Sequence, residues 1–148
     1  MHYNVLDIAQ YIIQKYNEQN ICINNLKLQK ILYFIQAEFL VATNQPCFCD
    51  EIQAWNFGPV IPTVYREYAA FGSTNIPYFK KTDVQYLFHK KDIKLIDDII
   101  NQCSKYSSSS LTDITMNQTP WLSAYGQQNN VIAYKDIQRF FASEKDYL

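Results

Sequence analysis

The sequence predicts a predominantly helical α+β fold in a single domain, residues 1–148, with one small β element. Three observations carry that expectation. Apolar residues recur at helical spacing over most of the chain, a short alternating stretch interrupts them between Cys47 and Trp55, and 148 residues suit one well-buried core. Hydrophobic residues make up 48% of the chain and charged residues 18%, the balance of a folded globular protein.

Val5, Ile8, Ala9, Ile12, Ile13 and Tyr16 form the stripe of a first helix, with Asn4 as its N-cap and Asp7 as a first-turn negative charge. A polar break at 17–20 leads through Ile21-Cys22-Ile23 to Asn24 or Asn25, either of which caps a second helix. Leu28, Ile31, Leu32, Ile35 and Phe39 make its buried stripe, and Tyr33, Phe34 and Leu40 are apolar away from it. A helix apolar on most sides is surrounded by its own fold, so this one is expected to be the spine. Thr43-Asn44-Gln45-Pro46 ends it.

The segment from Cys47 to Trp55 is partly alternating, which predicts a strand or hairpin with Phe48, Ile52 and Ala54 on one face. Gly58-Pro59-Val60-Ile61-Pro62 turns the chain into a third helix carrying Val60, Val64, Tyr68 and Phe71, closed by Gly72. Ile76-Pro77-Tyr78-Phe79 reads as a short extended piece, and Leu95, Ile96, Ile99, Ile100 and Cys103 mark a helix over 92–106. Ser110 is placed to cap a turn beginning at Leu111, and Thr119 to cap a helix opened by Pro120 and ended by Gly126. Ile137, Phe140 and Phe141 mark a terminal helix after Val131-Ile132, for a total of about five to seven helices.

Thirteen Lys and Arg against fourteen Asp and Glu leave a formal charge of -1 with no basic cluster, so no nucleic-acid partner is expected. Twelve Tyr, nine Phe and two Trp bring the aromatic share to 16%, which leans toward a protein partner, because Tyr joins an apolar body to a polar tip. No apolar run approaches a membrane span, and Met1-His2-Tyr3-Asn4 lacks the basic segment and apolar core of a secretory signal. A cytoplasmic protein without a membrane partner follows, and Cys22, Cys47, Cys49 and Cys103 are then expected to be reduced thiols.

Catalytic constellations are not found. His2 and His89 are in no ligand-pair spacing, and Cys47-x-Cys49 has no second pair downstream, so no metal site is predicted. Gly58, Gly72 and Gly126 lie too far apart for a phosphate-cradling loop, and no cofactor is expected. Asp97-Asp98 and Glu51 read as solvated carboxylates, and His89 within His89-Lys90-Lys91-Asp92 as an exposed imidazole. No catalytic residue is predicted, and the chain is not expected to be an enzyme.

Two blocks stand out: Asn25-Leu26-Lys27-Leu28-Gln29-Lys30-Ile31-Leu32-Tyr33-Phe34-Ile35-Gln36, and Ala54-Trp55-Asn56-Phe57-Gly58-Pro59-Val60-Ile61-Pro62-Thr63-Val64-Tyr65. In order and spacing they resemble the two signature blocks of the Panacea domain, the domain of SocA-like antitoxins and phage-associated GepA-like proteins. Leu111-Thr112-Asp113-Ile114-Thr115 and Pro120-Trp121 resemble a later block of that family, with Met116 where the family pattern carries His. The resemblance implies a toxin-antitoxin or prophage module in which the domain neutralises a protein toxin by direct binding. It also implies, for some members, an adaptor that hands the toxin to an intracellular protease. A small phage-encoded hydrolase or nuclease using Asp50, Glu51 or His89, and a DNA-binding regulator, are the rival readings.

The resemblance singles out Lys27, Gln29, Lys30, Tyr33, Trp55, Gly58, Pro59, Tyr65 and Trp121 as motif residues and candidates for the partner surface. Two readings stand side by side for each. Trp55 beside the Gly58-Pro59 turn, with Tyr33 and Tyr65 packed around it, makes either core architecture or partner-facing anchors. Lys27, Gln29 and Lys30 on the spine helix either find an internal partner such as Glu67 or Asp50, or form a polar patch for the partner. Arg66 and Glu67 carry the same ambiguity.

Overall fold

A computed structural model describes residues 2–79 and 83–148 and has the helical α+β architecture. The first helix, α1 (Val5–Glu18), starts where Asn4 accepts a hydrogen bond from the Leu6 amide at 2.9 Å, and its whole apolar stripe is buried. The second, α2 (Asn25–Thr43), is capped by Asn24 and not Asn25. The Asn24 side chain accepts from the Lys27 amide at 2.9 Å. Every residue from Lys27 to Ala37 is buried, and Asn44 closes the helix in the left-handed conformation (φ 59°) that asparagine tolerates.

Three short strands, β1 (Ile52–Trp55), β2 (Gly58–Val60) and β3 (Val131–Ile132), pair antiparallel in the order β2-β1-β3. Ala54 faces Pro59 across the hairpin and Ile52 faces Ile132. Phe48, Ile52 and Ala54 are all buried, as the alternation predicts. Residues 47–51 form no strand, and Gly58–Val60, read from sequence as part of a turn, is itself a strand. The reversal is made by Asn56 and Phe57, which leaves Gly58 free to pair with Trp55.

The third helix, α3 (Pro62–Glu67), begins on its proline and is shorter than its apolar spacing implied. Tyr68 leaves helical geometry, and Ala69–Phe71 continues as a 3₁₀ turn. After a second 3₁₀ turn at Val84–Leu87 come α4 (Lys90–Cys103), α5 (Ser108–Met116), α6 (Thr119–Ala124) and α7 (Tyr134–Ser143). The cap of α5 is Ser107, whose hydroxyl accepts from the Ser110 amide at 3.0 Å, so Ser110 lies inside the helix it was expected to cap. Thr119 likewise is the first residue of α6, with Gln118 before it.

The helix α2 is the hub. It packs against α1, α3, α4, α5, α7 and β2, and Tyr147 returns near the C-terminus to stack on Phe34 with ring centroids 5.6 Å apart. The four cysteines are free, Cys47 and Cys103 buried and Cys22 and Cys49 exposed, so Cys47 and Cys49 share no face. Among the described residues no helix is long and apolar enough to cross a membrane.

Candidate functional site

A two-residue hairpin turn fixes which backbone groups of β2 face outward. With Trp55 and Gly58 closing the turn, the carbonyl of Pro59 and the amide of Ile61 point away from β1, and Pro59 stands where a missing N–H costs the sheet nothing. Two side chains of α2 take up these groups. The Lys30 ammonium donates to the Pro59 carbonyl at 3.0 Å, and Gln29 Oε1 accepts from the Ile61 amide at 2.8 Å. Gln29 is itself held by a bond from its Nε2 to Asn25 Oδ1 at 2.9 Å. Two helical turns further on, Gln36 accepts from the Cys47 amide at 2.8 Å and donates to the Phe48 carbonyl at 2.7 Å. These glutamines and the lysine are fully buried and do for residues 47–61 what a neighbouring strand would do.

Lys30 has no acid beside it. Among the described residues its partners are the Pro59 carbonyl and the face of Phe57, whose centroid is 5.7 Å from Nζ. Glu67, exposed on α3, and Asp50, half-buried before β1, are not its counter-ions. Burial without a carboxylate pulls the ammonium from the ordinary 10.5 down to about 7.

Tyr33 does not pack around Trp55. It donates to Gln118 Oε1 at 2.9 Å and meets Phe34 and Phe141 edge-on, so it belongs to the interior seam between α2 and α7. Trp121 is anchored to the hairpin by a 2.8 Å bond from its indole nitrogen to the Trp55 carbonyl, and its ring stacks on the exposed Tyr125 at 4.5 Å. Trp55, Phe57 and Tyr65 form a half-buried triad with centroid distances of 5.1–5.8 Å. Phe57 and Tyr65 also line a groove of about 330 Å³ together with Asn25, Leu26, Gly72 and Ser73. Asn25 ties its floor by donating to the Tyr65 carbonyl at 3.0 Å.

The nine motif residues therefore divide. Gln29, Lys30, Tyr33, Gly58, Pro59 and Trp121 are buried architecture, Trp55 and Tyr65 reach the surface, and Lys27 lines a different cavity. Asn25, Gln36, Phe57 and Gln118 join the constellation without having been singled out. The seven-residue spacing of Gln29 and Gln36, which puts both on one side of the helix, is the sequence signal for one of them.

A family model described as antitoxin SocA-like, Panacea domain, matches residues 28–122, from the spine helix through the hairpin to Trp121. The chain belongs to that family. Among relatives of this Panacea domain, the Antitoxin SocA of Caulobacter vibrioides (strain NA1000 / CB15N) is 43% identical over 65 residues, 44% of this chain and 35% of that protein. The match thus spans about a third of the relative's length. No solved structure matches the chain. The Panacea match begins at Leu28, so Lys27 falls just outside it, and Met116 sits half-buried against the core.

Proposed function

We propose that this Panacea domain, acting as one unit over residues 1–148 in the cytoplasm, is an antitoxin that neutralises a protein toxin by binding it directly. The docking face is the Trp55–Phe57–Tyr65 triad with the adjoining groove over the start of α2. One observation carries the reading: three large aromatic rings stand half-exposed on a base locked by Gln29, Lys30 and Trp121. Rigid, partly exposed aromatics beside a groove are the anchors that dominate protein interfaces, because little side-chain freedom is lost when they are covered. Occlusion of a toxin surface needs no reactive group. Family membership supports the antitoxin role, and the identity of the relative named Antitoxin SocA agrees with it.

Co-expression with the product of the neighbouring open reading frame tests the proposal. Restored growth and co-purification of the two chains are expected. Persistent growth arrest without co-purification would overturn it. The adaptor form of the role predicts in addition that toxin turnover by an intracellular protease accelerates when this chain is added.

A further inference from the structure

The outer row of β1 runs from the hairpin to an exposed carboxylate. Trp55 donates its indole N–H to Gln53 Oε1 at 2.9 Å, and Gln53 Nε2 donates to Glu51 Oε2 at 2.7 Å. Residues two apart on an extended chain share a face, so the three side chains lie side by side. The Gln53 amide has one orientation open to it, because an indole nitrogen only donates and a carboxylate only accepts. Trp55 is thereby held with its one polar hydrogen spent, and what its half-buried ring has left for a partner is π surface.

The charge along this row has one sign. Glu51 is exposed and makes no ion pair among the described residues. Neither the aromatic triad nor the lining of the adjoining groove contains a Lys, Arg, Asp or Glu. Arg66 and Glu67, next along α3 from Tyr65, are both exposed and of opposite sign. The positive features lie away from Trp55: α2 starts at the groove, and the Lys30 ammonium sits behind the face against the Phe57 ring. A cation is therefore favoured at the Trp55 end of the face and disfavoured at the groove end.

We propose that the partner meets this row with an arginine, its guanidinium on the Trp55 ring and its N–H fork on the Glu51 carboxylate. The inference rests on the docking face proposed above and names the chemistry that face accepts. A planar, weakly hydrated guanidinium stacks on an indole while its N–H edge stays free for a carboxylate. A compact, strongly hydrated ammonium does one or the other. Val131, 40% exposed and directly across from Gln53, gives the methylene stem of the arginine an apolar neighbour.

The test has two arms. In the first, the full chain alone is titrated with N-acetyl-arginine methylamide, or with its lysine or neutral citrulline counterpart at matched ionic strength, and the Trp55 indole and Gln53 side-chain resonances are followed. Concentration-dependent shifts at both are expected with arginine, about threefold smaller ones with lysine and none with citrulline. Glu51→Gln keeps an acceptor for Gln53 and removes the charge, so it should erase the advantage of arginine over citrulline. In the second arm, affinity for the purified product of the neighbouring open reading frame is measured. Glu51→Gln should weaken it about tenfold at low salt and by less at high salt. Equal shifts from arginine and either counterpart, or an affinity that falls in Tyr65→Ala but not in Glu51→Gln, overturns the arginine assignment and leaves the docking face standing. Affinity unchanged in both variants overturns the docking face and this inference with it.

Discussion

Lys30 fills the space over Gly58: a Cβ built at that glycine would stand 2.6 Å from Lys30 Cε and 3.1 Å from its Nζ. Gly58 also holds φ +104°, a region L side chains rarely adopt. Gly58→Ala therefore strains the hairpin and pushes Lys30 off the Pro59 carbonyl at the same time. A loss of roughly 2–4 kcal/mol is expected, read as a lowered urea midpoint with an unchanged slope.

The Lys30 amine makes stability depend on pH. Its folded pKa is about 7 against an ordinary 10.5. Below pH 7 both states hold the proton, and the cost of burying the charge is felt in full. Between 7 and 10.5 the unfolded chain binds a proton the folded chain has released, so stability rises with pH by at most about 1.4 kcal/mol per unit. Buried Cys103, raised to about 12, works oppositely once unfolded thiols ionise. Subtracting Lys30→Met from wild type isolates the amine: the wild type should gain on the variant from about pH 7 to pH 9. A constant gap would refute this assignment.

Tyr33→Phe removes the donor that serves Gln118 Oε1 in a buried place where Gln118 Nε2 already has no partner among the described residues. The ring contacts with Phe34 and Phe141 survive. About 1–3 kcal/mol should be lost, with far-ultraviolet circular dichroism unchanged. Stability equal to wild type would mean that Gln118 finds another donor.

At the docking face, Tyr65→Ala should weaken toxin binding by about 30-fold, the scale of an interface hot spot. Its thermal midpoint should fall little, because the ring is half-exposed and its hydroxyl bonds to no other described residue. Calorimetric titration with the purified toxin measures the first and scanning calorimetry the second. Unchanged affinity would move the interface elsewhere.

The spine was legible because Tyr33, Phe34 and Leu40 lie off the apolar stripe of α2, and a helix greasy on every side has nowhere to go but inward. What Gln29, Lys30 and Gln36 do there was not legible. Their partners are backbone groups of Pro59, Ile61, Cys47 and Phe48, carbonyls that any residue carries and amides that any residue but proline carries, so no side-chain pattern marks them. A buried lysine is expected to pair with a carboxylate, whereas the fold gives Lys30 a carbonyl and a ring. In the serine run, four equivalent caps stood in a row, and nothing local marks Ser107 over Ser110; Ser108 inside the helix bonds to Asn24, a residue 84 positions away. Strand β2 was hidden because Gly-Pro reads as a turn when the two residues that make the turn come just before it.

The occupation of the β2 rim by Gln29 and Lys30 also bears on how these molecules behave when crowded together. A three-stranded ribbon with a bare margin invites a second molecule to add on, and then a third, toward a fibril. Here one margin offers no vacant carbonyl at Pro59 and no vacant amide at Ile61, so growth from that side is stopped by the same side chains that hold the hairpin in place.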